Sequence, residues 1–246
     1  MIIDIHTHLA KESGTSVEAI LAEARRMGIS RLVNLGSAPL SATPEQVVSA
    51  NDRTLQLAQQ HSDMIIGFCR LNPTHEKRFL LQEITRCIEN GNLKGIKLSV
   101  ERNARSPQLD PILEACARLN VPVLYHAWYK TIGKAMDEST PADIADLARR
   151  HPGVTLIMAH LTAGGIRGVL DIQPYPNVYV DTSGSQPFSG IIEYALEALG
   201  AERILYGSDM PIRDFSCQLG RVYGANISRQ ARDRILGRNA KELLSL

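Results

Sequence analysis

The sequence is short of several things. Its 246 residues hold four cysteines, Cys69, Cys87, Cys116 and Cys217, all far apart and none in a CxxC pair. A chain this long buries a core without disulfide staples, and scattered thiols suit a reducing compartment. There is no charge excess: 27 basic residues face 26 acidic ones, a formal net charge of +1, so no field steers a polyanion and nucleic acid is not an expected partner. No apolar run approaches the roughly 20 residues of a membrane helix, and no positive segment with an apolar stretch behind it opens the chain. A cytoplasmic protein with no membrane partner is the expectation. No Pro/Gly/Ser linker or low-complexity tract divides the chain, so a single domain over residues 1–246 is expected. A composition of 44% apolar and 22% charged residues excludes disorder, coiled coil and collagen.

Short runs rich in Val, Ile and Leu alternate with amphipathic stretches. The runs are Ile2–His6, Leu32–Gly36, Met64–Arg70, Lys94–Leu98, Val121–His126, Val154–His160, Asn177–Thr182 and Arg203–Asp209. Each has the length of a buried strand. Between them, Thr15 with Glu18 and Thr43 with Gln46 read as capping boxes, Thr140-Pro141 opens another helix, and Gly28 and Gly91 stand where left-handed helix ends are wanted. Eight strand–helix units at intervals of roughly 25–33 residues suit right-handed βαβ crossovers and the rhythm of an α/β, (β/α)₈ TIM barrel. A doubly wound open sheet would want a glycine-rich phosphate turn after an early strand, where this chain has Thr7-His8-Leu9-Ala10.

Ionisable residues recur at the C-terminal ends of the runs, the face on which such barrels place their active sites. Residues i and i+2 of a strand share a face, so His6 and His8 project together into the barrel mouth, with Ile3 and Ile5 toward the helices. Two imidazoles from one strand can bind one metal ion. His126 ends the fifth run, His160 the sixth, and Asp209 the eighth, just before Met210-Pro211. Each alone reads as an ordinary hydrogen-bonded residue, but together on one rim they point to a metal. His61, His75 and His151 fall in helix ends or loops and read as surface residues.

DxHxH on the first strand, histidines ending the fifth and sixth, and GSDxP on the eighth resemble the amidohydrolase superfamily, nearest its amidohydrolase 2 branch, which includes aromatic-acid decarboxylases and lactonases. The resemblance covers Ile2 to Asp209, and Arg238 to Leu244 is similar to the branch's closing helix. It implies that His6, His8, His126 and Asp209 bind one divalent metal, zinc by the nitrogen-rich ligation. It also implies that His160 contacts the substrate or shuttles a proton. Lys97, ending the fourth strand, is either a pocket residue, an ordinary lysine paired with a carboxylate, or a carboxylated bridge to a second metal that His126 and His160 would share.

The expected activity is hydrolysis of an amide, lactone or ester of a small carboxylated molecule, through metal-activated water with Asp209 as general base and His160 beside it. Arg70 and Arg213 offer forks for carboxylates, and Trp128, the sole tryptophan, would wall the pocket with Lys97. The main alternative is a decarboxylase using the same metal. A TatD-like nuclease would usually carry a glutamate near the fourth strand, and Lys97 and the balanced charge argue against it. A non-catalytic metal-binding scaffold is disfavoured because no position of the constellation is missing. Barrels of this type often form homodimers, though no patch in the sequence marks one. The segment Tyr129–Ser139 is the longest candidate flap, with Gly133 as a hinge.

Overall fold

The computed structural model describes residues 1–9, 14–130, 132–186 and 188–246. The strands are β1 (Ile2–Thr7), β2 (Ile29–Asn34), β3 (Ile65–Gly67), β4 (Cys69–Arg70), β5 (Ile96–Leu98), β6 (Val123–Tyr125), β7 (Leu156–Met158), β8 (Val178–Asp181) and β9 (Ile204–Leu205). They pair in chain order and in parallel, as β1-β2-β3 and as β4 through β9. β3 and β4 are one barrel strand interrupted at Phe68, whose N–H still donates to the Asn34 carbonyl at 2.9 Å. The ring closes where the chain following β9 meets β1. Ile5 N donates to Tyr206 O at 2.9 Å, Asp209 N to His6 O at 2.8 Å, and His8 N to Met210 O at 2.7 Å. The architecture is a (β/α)₈ barrel. Among the described residues no helix is long and apolar enough to cross a membrane.

Helices α1 (Val17–Arg26), α2 (Pro44–Gln60), α3 (Lys77–Ile84), α4 (Asp110–Leu119), α5 (Pro141–Arg150), α6 (Leu161–Ile172), α7 (Ile191–Leu199) and α8 (Phe215–Gly224) follow the barrel strands, and α9 (Arg229–Asp233) and α10 (Asn239–Leu243) end the chain. The caps at Thr43 and Thr140 form as expected, each reciprocated by the residue three positions on. At α1 the cap is Ser16, one residue later than expected: its hydroxyl accepts from Ala19 N. Gly28 is left-handed, with φ +76°. Gly91 is not; that conformation falls to Asn92, and Gly91 is bare because a Cβ would lie 2.6 Å from Leu55 Cδ2.

Two apolar layers hold the molecule. The outer one sets Leu32, Ile96, Val123, Leu156 and Val178 against helix residues such as Ile20, Leu57 and Ile144. The inner one gathers Ile3, Ile5, Val33, Leu35, Phe68, Leu124, Ile157 and Leu205, with Ala240 and Leu244 from the end of the chain. Ile3 and Ile5 therefore pack inside the ring rather than toward the helices. The register of β1 against β2 slips between Asp4 and Thr7. A bulge of this kind re-aims side chains, which is how a strand with Ile5 inside also brings His6 to the site.

Candidate active site

The bulged end of β1 delivers His6, which is buried, and His8, which is slightly exposed. His6 Nδ1–H donates to Asp181 Oδ2 at 2.7 Å, and His8 Nδ1–H donates to the Gly36 carbonyl at 2.9 Å. These partners fix the tautomers and leave both Nε2 lone pairs free to face inward. Asp209 meets them there: its Oδ1 is 3.4 Å from His6 Nε2 and 3.5 Å from His8 Nε2. Burial is the largest influence on both imidazoles and holds them neutral, well below the usual histidine range, with neighbouring positive charge at Lys97 adding to it. Two neutral imidazoles and a carboxylate within 4.8 Å of one another form a donor set for a divalent ion.

His160 and Asp209 occupy left-handed backbone just past their strands, with φ of 71° and 64°. Such values are disfavoured outside glycine and persist where the surroundings enforce them. Here His160 N donates to Asp181 Oδ1 at 3.1 Å, and Asp209 N is held by His6 O. Gly207 lets the chain after β9 come this close, because a Cβ there would lie 3.0 Å from the Cβ of His6.

The remaining histidines form a second line. His160 Nε2 lies 3.1 Å from His126 Nδ1 and its Nδ1 lies 2.8 Å from Ser183 Oγ. Ser183 in turn hydrogen-bonds Asp181 Oδ1. His126 Nε2–H donates to Glu138 Oε1 at 2.6 Å. His126 thus turns its Nδ1 edge toward His160. A second cluster of donor atoms joins His6, His160 and Asp181. Burial holds His160 well below the ordinary imidazole range and lowers His126 as well.

A cavity of about 500 Å³ opens over these groups. Trp128 is one wall, its ring centroid 5.4 Å from that of His160. Lys97 is buried, and the carboxylates of Asp181, Asp209 and Glu101 act on it electrostatically. Burial, helped by the nearby Arg70 charge, lowers it to about 8. Arg70 sits beside Lys97 in strand register and pairs with the buried Glu101 through Nη2, while its Nη1 is buried without a partner among the described residues. Arg213 lines the mouth, and its Nη1 donates to the Ile212 carbonyl at 2.9 Å. Gly133 of the flap has φ +67°; Thr131 of that segment lies outside the described residues. His75 and His151, expected as surface residues, are half-buried, and their Nε2 atoms lie 2.9 Å from Ala42 O and from Asp110 Oδ1.

Asp181, Ser183, Glu138 and Glu101 were not anticipated. Asp181 ends β8 as Asp209 follows β9, and the strand-end rule that found the latter reaches it too. Glu138 lies in a loop, where no spacing rule connects it to His126.

A barrel with histidines and a carboxylate gathered on this rim is of the amidohydrolase type. A family model described as Amidohydrolase matches residues 3–246, and the chain belongs to that family. It is 23% identical over 236 residues to the 2-amino-3-carboxymuconate-6-semialdehyde decarboxylase of Dictyostelium discoideum; the match takes in 80% of this chain and spans 65% of that protein's length. The fold is shared with the 2,6-dihydroxybenzoate decarboxylase of Rhizobium, at a TM-score of 0.80 and 16% identity over 99% of this chain and 98% of that one. It is also shared with a dihydroxybenzoic acid decarboxylase from Polaromonas with bound manganese, at a TM-score of 0.79 and 16% identity over 100% and 97% of the two chains.

Proposed function

We propose that the protein is a divalent-metal-dependent decarboxylase of a small carboxylated, aromatic or enoate, molecule. The observation that carries this is the convergence of His6 Nε2, His8 Nε2 and Asp209 Oδ1 beneath a cavity whose wall holds Arg70 and Lys97. Hydrolysis of an amide, lactone or ester, the first expectation from the sequence, is the weaker reading, because the named relatives release CO₂ from carboxylated substrates. Zinc is not singled out either: two imidazoles and a carboxylate suit zinc or manganese, and manganese is the ion of the Polaromonas neighbour. When bound, the ion supplies a Lewis acid for a substrate oxygen.

The residues of the chain divide the remaining work. Arg70 Nη1 and the Lys97 ammonium draw the anionic substrate in and orient it, and Trp128 covers its flat face. Enclosure between the indole and the barrel floor excludes water from the carbon that loses CO₂. Asp209 and His160 are the proton-handling groups, Asp209 bringing the proton to that carbon and His160 holding its imidazole neutral beside it.

The test is a panel of hydroxybenzoates and carboxylated enoates, set against lactones and esters, with the protein loaded with zinc or manganese. CO₂ release that is lost in Asp209→Asn and His160→Gln, with the fold retained, is expected. Lactone or ester cleavage without CO₂ release would overturn the proposal.

A further inference from the structure

Glu138 is a carboxylate whose side chain is fully buried, in a loop, and the reaction described above makes no use of it. Its backbone is held without it. Trp128 N donates to Ser139 O at 2.9 Å, Asp137 N to Val100 O at 2.9 Å, Ala104 N to Ser139 Oγ at 2.9 Å, and Asn103 Nδ2 to Glu138 O at 3.4 Å. The carboxylate adds one bond to this set, Oε2 accepting from Ala135 N at 3.3 Å, so the loop is fastened mainly by its backbone. Burying a charge is costly unless it is paired and hydrogen-bonded. Two side chains supply the pairing here: Oε1 accepts from His126 Nε2–H at 2.6 Å and from Lys130 Nζ at 2.9 Å. Lys130 is itself seated over the Trp128 ring, 4.9 Å from its centroid.

The hydrogen-bond accounting gives this contact a purpose. A carboxylate only accepts, so the His126 proton must lie on Nε2 and the lone pair on Nδ1. Along the other arm, the Ser183 hydroxyl donates to Asp181, so His160 donates from Nδ1 to Ser183 Oγ and keeps a lone pair on Nε2. The lone pairs of His126 Nδ1 and His160 Nε2 then face each other 3.1 Å apart, an arrangement that only a shared cation or proton makes favourable. Asp181 and the Gly36 carbonyl impose the same inward-facing state on His6 and His8. A carboxylate behind a histidine fixes both the tautomer and the ring direction of a metal ligand.

We infer that Glu138 is a positioning residue: from the loop after β6 it locks the His126 tautomer so that Nδ1 presents its lone pair to the metal centre. This rests on the metal centre proposed above and names the residue that completes it at His126.

Two measurements test the inference. In metal-free protein labelled with ¹⁵N-histidine, long-range ¹H–¹⁵N spectra are expected to show His126 Nε2 protonated; Glu138→Ala is expected to lose that fixed proton and Glu138→Gln to keep it, since the amide oxygen still accepts. In chelator competition with zinc or manganese, Glu138→Ala is expected to weaken binding by about 10–100-fold, as loss of an outer-shell partner does, with Glu138→Gln restoring most of it. The melting temperature of the metal-free proteins monitors the fold. A wild-type His126 protonated on Nδ1 and bare on Nε2 overturns the inference, whatever the folding of the alanine variant. So does unchanged metal affinity in Glu138→Ala. His8→Ala is the control for the centre itself: if it too leaves affinity unchanged, the metal centre is at fault and not the role of Glu138.

Discussion

Asp181 holds more of the site together than any other single residue described. It accepts from His6 Nδ1, from His160 N, from Ser183 N and from the Ser183 hydroxyl. An amide in its place has one acceptor oxygen and would turn a donor toward one of these groups. Asp181→Asn is therefore expected to weaken metal binding by about 10–100-fold, read by chelator competition. It should also lower the melting temperature of the metal-free protein, because buried donors lose their partner. The residues found in the sequence were those with a positional rule behind them. His6 and His8 are spaced for one strand face, and His126, His160 and Asp209 each close an apolar run. What escaped were groups whose meaning is only a partner. Glu138, Ser183 and Glu101 carry common side chains in irregular segments, and only the folded ring brings them to His126, Asp181 and Arg70.

Elements behind the rim are tied by polar groups as well as by apolar packing. Asn51 of α2 donates to the Arg70 carbonyl of β4 at 3.0 Å and to Glu83 of α3 at 2.8 Å, and Arg70 N donates back to Asn51 Oδ1 at 2.8 Å. Burial alone would raise the Glu83 carboxyl, but hydrogen bonds from Arg86 and Asn51 outweigh it and leave the group below its ordinary value of 4.5. A carboxylate depressed on folding contributes stability that is present above its unfolded pKa and is lost as pH falls through the folded one. Glu83→Gln is thus expected to flatten the fall in urea midpoint below about pH 4.5, with a lower midpoint at pH 7. The same region shows why the sequence read the elements better than their limits. The run Met64–Arg70 was anticipated as one strand, and it is β3 and β4 with Phe68 turned into the barrel interior. The apolar runs outlast the hydrogen-bonded strands because His126, His160 and Asp209 lie just beyond them, where the chain bends into the site.

For the whole molecule, the centre links ligand binding to stability. An ion that binds the folded chain and not the unfolded one stabilises it by about 2.7 kcal/mol at 100 times its Kd. For a chain of this size that corresponds to a rise in melting temperature of about 5–11 °C. Zinc or manganese added to chelator-treated protein should produce this rise, and His8→Ala should abolish it; a melting temperature indifferent to both ions would count against the centre. The barrel as a whole was the most legible level, because eight repeats of one strand–helix rhythm constrain a fold more tightly than any single residue constrains a role.

The seam between β1 and the chain after β9 has a consequence for how the molecule comes into being. His6 and His8 precede Asp209, which meets them across that seam, by about 200 residues. Contacts this far apart in sequence form late, since the entropy of closing the ring comes before its reward. Until the final strand docks, the two histidines belong to an incomplete barrel with no opposing carboxylate. Capture of the ion is therefore a report on a closed ring: a chain that stops short of Arg203 carries His6 and His8 without the carboxylate that faces them.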